Sequence, residues 1–176
     1  MHTHAVETPS VWITRWAERI APGGRVLDVA SGNGRHARWL AARGHHVDAL
    51  DRDAEALSHV KGVAGISSLC ADIENGPWPY EPGQYAAVVV ANYLHRPLFP
   101  QLLDALAPGG VLIYETFAAG NERYGRPSNP AFLLKPGELL EVVRGRLRVI
   151  AYEDLEVTEP RPAAVQRICA MQSGVG

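Results

Sequence analysis

The residues of this 176-residue chain best suited to chemistry lie between 25 and 51. The stretch opens Arg25-Val-Leu-Asp-Val-Ala-Ser-Gly-Asn-Gly-Arg35 and closes Val47-Asp-Ala-Leu-Asp51. Glycines at 32 and 34 let the backbone turn sharply and let a ligand come close to the main chain. Asp51 ends an apolar run roughly 20 residues past those glycines, where a carboxylate accepts hydrogen bonds from a ribose diol. Gly32-x-Gly34-x-x-Ala37 also satisfies the dinucleotide fingerprint, so a nicotinamide-dependent oxidoreductase has to be weighed. Asp28 argues against it. Pyrophosphate is doubly negative, and a carboxylate beside the turn repels it. An adenosine that carries positive charge suits that acid, directly or through water.

Asp28-x-Ala30-x-Gly32-x-Gly34 resembles the first motif of class I S-adenosylmethionine-dependent methyltransferases, which usually have glycine where this chain has Ala30. Leu106-Ala-Pro-Gly-Gly-Val-Leu112 resembles the same family and is not a habit of dehydrogenases. The Gly-Asn-Gly-Arg turn and the overall length are loosely similar to tellurite-resistance-type small methyltransferases. The resemblance implies S-adenosyl-L-methionine as cofactor. It places Asp28, Ala30, Ser31, Gly32, Asn33 and Gly34 at the turn, with Asp51 and Arg52 beyond them and Asn92 further along the chain. In that family an acid accepts from the adenine amino group and the next backbone N–H meets a ring nitrogen; Asp72 and Ile73 match those positions. Read alone, Asp72 is equally a turn or cap residue.

Elements that would hold these residues follow from periodicity. Arg25–Ala30, Val47–Leu50 and Ile66–Cys70 read as short strands, and Tyr85–Ala91, with Val88, Val89 and Val90 in a row, reads as the most buried one. Residues 10–20 predict a helix with Ser10 as N-cap and Trp12, Trp16 and Ile20 on one face, before the turn to 24. That helix either packs on the sheet or covers the cofactor, with Arg15 or Arg19 meeting the methionine carboxylate. Further helices are predicted over 53–60, 97–106 (Leu98, Leu102, Ala105 and Leu106 inward) and 137–147 (Leu139, Leu140, Val143 and Leu147 inward), with a turn at 107–110 before a fifth strand. Strands at 148–157 and 164–171, joined across Pro160-Arg-Pro162, must pair antiparallel because the connection is so short. The sum is a single α/β domain over 1–176. It is a doubly wound, mainly parallel seven-strand sheet of the Rossmann-like methyltransferase type, in three αβα layers with a C-terminal antiparallel hairpin.

Ligands of such sheets lie beyond the carboxyl ends of the strands near the switch in strand order. Asn92-Tyr93-Leu94-His95-Arg96 leaves one such end and is not the Asn-Pro-Pro-aromatic signature of base-amino methylation. His95, whose type titrates near neutrality, is the first candidate for a base, with Glu115 second. Tyr93 and Tyr114 are candidates to position the acceptor. The glycine- and proline-broken stretch 117–136 reads as a substrate lid, with Arg123, Tyr124 and Arg126 as substrate residues that read an anionic group. Its alternative is an Ω-loop packed on itself. Trp78 either walls the adenine or packs in the core.

A formal charge of −2 gives no electrostatic case for nucleic acid as a partner, and no apolar run is long enough to span a membrane. Met1–Glu7 lacks the regions of a signal peptide. Cys70 and Cys169 form no metal-like cluster and read as buried thiols of a cytoplasmic protein. The expected activity is in-line methyl transfer to a small-molecule acceptor. A non-catalytic cofactor sensor or partner subunit keeps the same motif and stands as the alternative; acceptor identity and oligomeric state are open.

Overall fold

Short apolar runs between glycine turns build a seven-stranded sheet in the order β3-β2-β1-β4-β5-β7-β6. The structure, a computed structural model, describes residues 8–174, so the Met1–Glu7 reading lies outside the described residues. The strands are β1 (Val26–Val29), β2 (Val47–Asp51), β3 (Ile66–Cys70), β4 (Tyr85–Ala91), β5 (Leu106–Phe117), β6 (Leu147–Val157) and β7 (Ala163–Gln172). Pairs from β3 to β5 are parallel, and β7 runs antiparallel to both β5 and β6. Strand order reverses between β1 and β4, which puts the crevice for a ligand beside the glycine turn.

Among the described residues five short α-helices cover the sheet: α1 (Val11–Trp16), α2 (Arg35–Ala41), α3 (Ala54–Leu57), α4 (Phe99–Asp104) and α5 (Glu138–Val143). Alternation along the strands divides the core into two layers. Val26, Val47, Ala87, Val89 and Ile113 pack with α1, α2 and α3 on one face. Leu27, Val29, Val88, Val90 and Leu112 pack with α4 and α5 on the other. Ser10 caps α1, its side chain accepting from the Ile13 N–H, and Asp53 caps α3 through the N–H groups of Glu55 and Ala56.

Three details differ from the sequence reading. The 107–110 turn is absorbed into β5 as a wide bulge, with Tyr85 opposite Leu106 and Ala87 opposite Val111. Gly110 is required there, since a β-carbon would lie 2.7 Å from the Tyr85 carbonyl oxygen. α5 stops at Val143 because Arg144 is extended and Gly145 has positive φ, so Leu147 opens β6 and Leu140 is exposed. Cys70 is exposed rather than buried, because β3 is an edge strand; Cys169 is buried. Trp78 follows its core-packing alternative: it stands edge-on to Tyr80 against the core and lines neither cavity described below.

Stretch 117–136 is a packed loop. Ala119 N–H donates to Leu134 O and Leu134 N–H to Phe117 O, while Leu133 and Leu134 are buried. Buried Asn121 donates to Pro127 O and accepts from the Ala164 N–H. These bonds fix the loop on itself and on β7, as the Ω-loop alternative requires.

Candidate functional site

Two cavities open along the carboxyl edge of the sheet. The smaller, about 180 Å³, lies over β1, β2 and β3. Its walls are Ala30, the end of β2 from Leu50 to Arg52, the segment Ala71–Glu74, and Tyr93. Gly32 and Gly34 both adopt positive φ, and a β-carbon at 34 would collide with Val60 Cγ1, so glycine lets this turn sit tight against the end of the segment after α3. A β-carbon at 32 would meet nothing within 4 Å, which leaves open space over the turn. Ala30 also has positive φ, 55°, and this is why glycine suits the position.

Asp51 is aimed by two main-chain donors. Its Oδ2 accepts from the Gly32 N–H at 2.8 Å and its Oδ1 from the Asp53 N–H at 2.9 Å. Asp28 is 2% exposed, and its Oδ2 is buried with no hydrogen-bond partner. Burial pushes its carboxyl up to about 7; the Arg35 guanidinium opposes this and the Asp51 carboxylate adds to it. Ser31 Oγ is buried and unpartnered in the same turn. Orphaned polar atoms of this kind fit a ligand that brings its own donors and positive charge.

Asp72 is both cavity wall and turn residue. Oδ1 accepts from the Glu74 and Asn75 N–H groups and Oδ2 from Asn75 Nδ2, and these bonds hold its carboxyl below the usual range. Ile73 stands beside it in the wall. Asn33 accepts from Arg38 through its carbonyl, and its side chain is not part of the cavity wall.

The larger cavity, about 390 Å³, opens over β4, β5 and β7. Asn92, with φ of 56°, and Arg35 stand on the side of the glycine turn. Glu115 and Phe117 come from β5, Val165 and Arg167 from β7, and Arg161 from the turn before β7. Thr8–Val11 closes the remaining side. Register places Arg167 opposite both Glu115 on β5 and Glu153 on β6. Its guanidinium lies 2.9 Å from Glu115 Oε2 and 2.7 Å from Glu153 Oε2. Ser10 Oγ donates to Glu115 Oε1 at 2.7 Å, and Ser10 N–H donates to His36 Nε2 at 2.9 Å. His36 is neutral, since burial, helped by Arg35, lowers it to about 3. The leading residues of α1 are thereby strapped to α2 and β5.

Several residues stand elsewhere than the sequence reading puts them. His95 lies outside the walls of both cavities, with Nδ1 3.4 Å from Glu74 Oε1. Tyr114 is buried in the core and donates to the Tyr93 carbonyl, so it cannot reach an acceptor. Tyr93 walls the smaller cavity, its hydroxyl donating to Glu74 at 2.8 Å. Arg123, Tyr124 and Arg126 line neither cavity; Arg123 pairs with Glu156 because the loop folds back onto the hairpin. Arg15 reaches toward Glu153, 3.8 Å away, and stands over Trp12, so the body of α1 packs on the sheet. The sequence reading does not single out Arg35, Arg161 or Arg167, and it gives Ser10 only as an N-cap. Arg167 did leave a signal: a charge inside the apolar run Ala163–Met171 requires a partner.

Residues 26–110 match a family model described as a methyltransferase domain. No curated protein matches the chain. Among solved structures, TehB from Haemophilus influenzae is similar at 18% identity and a TM-score of 0.75, over 92% of this chain and 61% of that one. This chain therefore spans less than two thirds of that protein. An S-adenosylmethionine-dependent methyltransferase from Mesorhizobium loti is similar at 18% identity and a TM-score of 0.67, over 90% of this chain and 97% of that one. Geranyl diphosphate C-methyltransferase from Streptomyces coelicolor A3(2) is similar at 17% identity and a TM-score of 0.68, over 90% of this chain and 76% of that one. The matched methyltransferase domain runs from β1 into β5, and the whole strand order is the fold of these S-adenosylmethionine-dependent methyltransferases.

Proposed function

We propose that this enzyme methylates a small organic acceptor held in the larger cavity, with the cofactor seated across the smaller one and the glycine turn. The observation that carries this is the buried, unpartnered Oδ2 of Asp28 beside the glycine turn. Such an oxygen is stabilised by a cationic ligand and repelled by a diphosphate. Asp28 takes the cationic amino end of the cofactor, and Ser31 Oγ is the next free group along the turn. Asp51, already aimed by Gly32 and Asp53, takes the ribose diol. Asp72 and Ile73 wall the adenine, with Arg52 at the rim.

Bound S-adenosylmethionine supplies a methyl group on an activated sulfonium leaving group, so the hard chemistry comes with the cofactor. The chain has to align the acceptor and exclude water, and alignment is worth on the order of 7–11 kcal/mol. Asn92 and Arg35 stand in the cavity wall nearest the glycine turn, where the acceptor meets the cofactor. Glu115 is fixed by Ser10 and Arg167, so it orients a donor on the acceptor rather than moving through the reaction. His95 stands behind Glu74 in the wall of the smaller cavity, so it takes no part at an acceptor held in the larger one. A low formal charge and two free cysteines support a small-molecule acceptor and a reducing cytoplasm over a nucleic-acid partner.

Calorimetry with S-adenosylhomocysteine and with NAD is the direct test. Binding of the first and not the second is expected; the reverse would sink the reading. A turnover screen over small acceptors then separates an enzyme from a sensor.

A further inference from the structure

The larger cavity holds more positive charge than its carboxylates neutralise. Arg167 is satisfied between Glu115 and Glu153. Arg35 and Arg161 have no carboxylate partner among the described residues. Each donates only to a main-chain carbonyl, Arg35 to Thr8 at 3.0 Å and Arg161 to Arg126 at 3.2 Å. A guanidinium carries several N–H donors in a planar fork, so both keep donors free for an oxyanion. Arg35 follows the glycine turn directly and acts on Asp28, so in the reading above it belongs with the amino-acid end of the cofactor. Arg161 is left over. It stands over the Phe117 ring, 5.6 Å from its centroid, beside the apolar side chains of Val157, Ala163 and Val165. The one opposing group on the same turn is Glu159, which is exposed and without an ion-pair partner among the described residues.

We infer that the methyl acceptor is a small organic anion, an apolar body bearing a carboxylate or phosphate that Arg161 binds while the body lies on Phe117 and Val165. This rests on the methyl-transfer reading above. Arg123 and Arg126, the cations that the sequence suggests for an anionic group, line neither cavity; Arg161, in the turn between β6 and β7, takes that place.

The test titrates protein saturated with S-adenosylhomocysteine with benzoate, phenyl phosphate and neutral benzamide, read by calorimetry. One of the two anions should bind roughly tenfold or more tighter than benzamide, and which one does so distinguishes carboxylate from phosphate. Arg161→Gln should weaken that anion about tenfold, Arg161→Lys should recover part of the loss, and Glu159→Gln should tighten it. Affinity for S-adenosylhomocysteine should stay unchanged in all three variants, which shows that they fold. Equal binding of benzamide and the anions, no anion binding to the saturated protein, or an unaffected Arg161→Gln would each overturn the inference while leaving methyl transfer intact. Failure of S-adenosylhomocysteine itself to bind would take down both.

Discussion

Asp28 and Glu115 sit near the carboxyl ends of β1 and β5, with β4 between them, and the protein treats their charges in opposite ways. Asp28 is buried with one oxygen unpartnered, and burial raises its carboxyl to about 7. Glu115 has both oxygens engaged, one by Ser10 and one by Arg167, and Arg167 is shared with Glu153 across the ladder of β5, β7 and β6. An unpaired buried carboxylate costs folding free energy until a cation arrives. A paired one ties strands and the Thr8–Val11 strap together. The first charge has an oxygen free for a ligand, as the proposed function requires; the second belongs to the frame that shapes the larger cavity.

The contrast needs the glycine turn intact. Gly34→Ala should be the most damaging change, about 3 kcal/mol by chemical denaturation, from the collision with Val60 and positive φ together. A loss well under 1 kcal/mol would mean that the turn is looser than described.

Asp28→Asn should weaken cofactor binding about a hundredfold by calorimetry, the loss of a charge-assisted hydrogen bond. It should also stabilise the cofactor-free protein, and the sign is specific. Unfolded Asp28 loses its proton near 3.8, whereas the folded residue keeps it to about 7. The folded state binds more protons between those values, so its stability falls as pH rises through that window. The variant should lack this fall and gain on the order of 3–4 kcal/mol at pH 8. For the native protein, cofactor affinity should climb as pH rises toward and through about 7, because the cation binds the ionised carboxylate. Flat affinity across pH 5–8 would remove Asp28 from cation binding.

Arg167→Leu should have the opposite sign. It leaves Glu115 and Glu153 facing each other's strands without the shared guanidinium, and about 2 kcal/mol of stability should be lost in denaturant. If both Asp28→Asn and Arg167→Leu destabilise the cofactor-free protein equally, the comparison fails. Ala30→Gly is the smallest change. Relief of positive φ, offset by a freer unfolded chain, should raise stability by no more than about 1 kcal/mol in a melting assay.

The cavity beside the glycine turn was legible in sequence because it is built from contiguous pieces. Asp28 through Gly34, Asp51 and Arg52, and Asp72 and Ile73 each sit on one turn after one strand, and turn chemistry is local. The larger cavity was not. Its arginines were sought in the Arg123–Arg126 loop, which instead folds onto β7 through Asn121 and sends Arg123 to Glu156. His95 and Tyr114 were judged from being near strand ends, but pleat and register turn Tyr114 into the core and leave His95 beside Glu74.

By itself the sequence determined the order of strands, helices and glycine turns, and with it the place of the acids around the glycine turn and the smaller cavity. Apolar period and glycine chemistry act over a few residues, so they can be read from one end of the chain to the other. Only the tertiary structure decided which charges are paired and which are left for a ligand. Glu115 and Arg167 are 52 residues apart and meet only because β7 returns antiparallel between β5 and β6, and Arg161 faces the cavity only because that hairpin closes over Phe117.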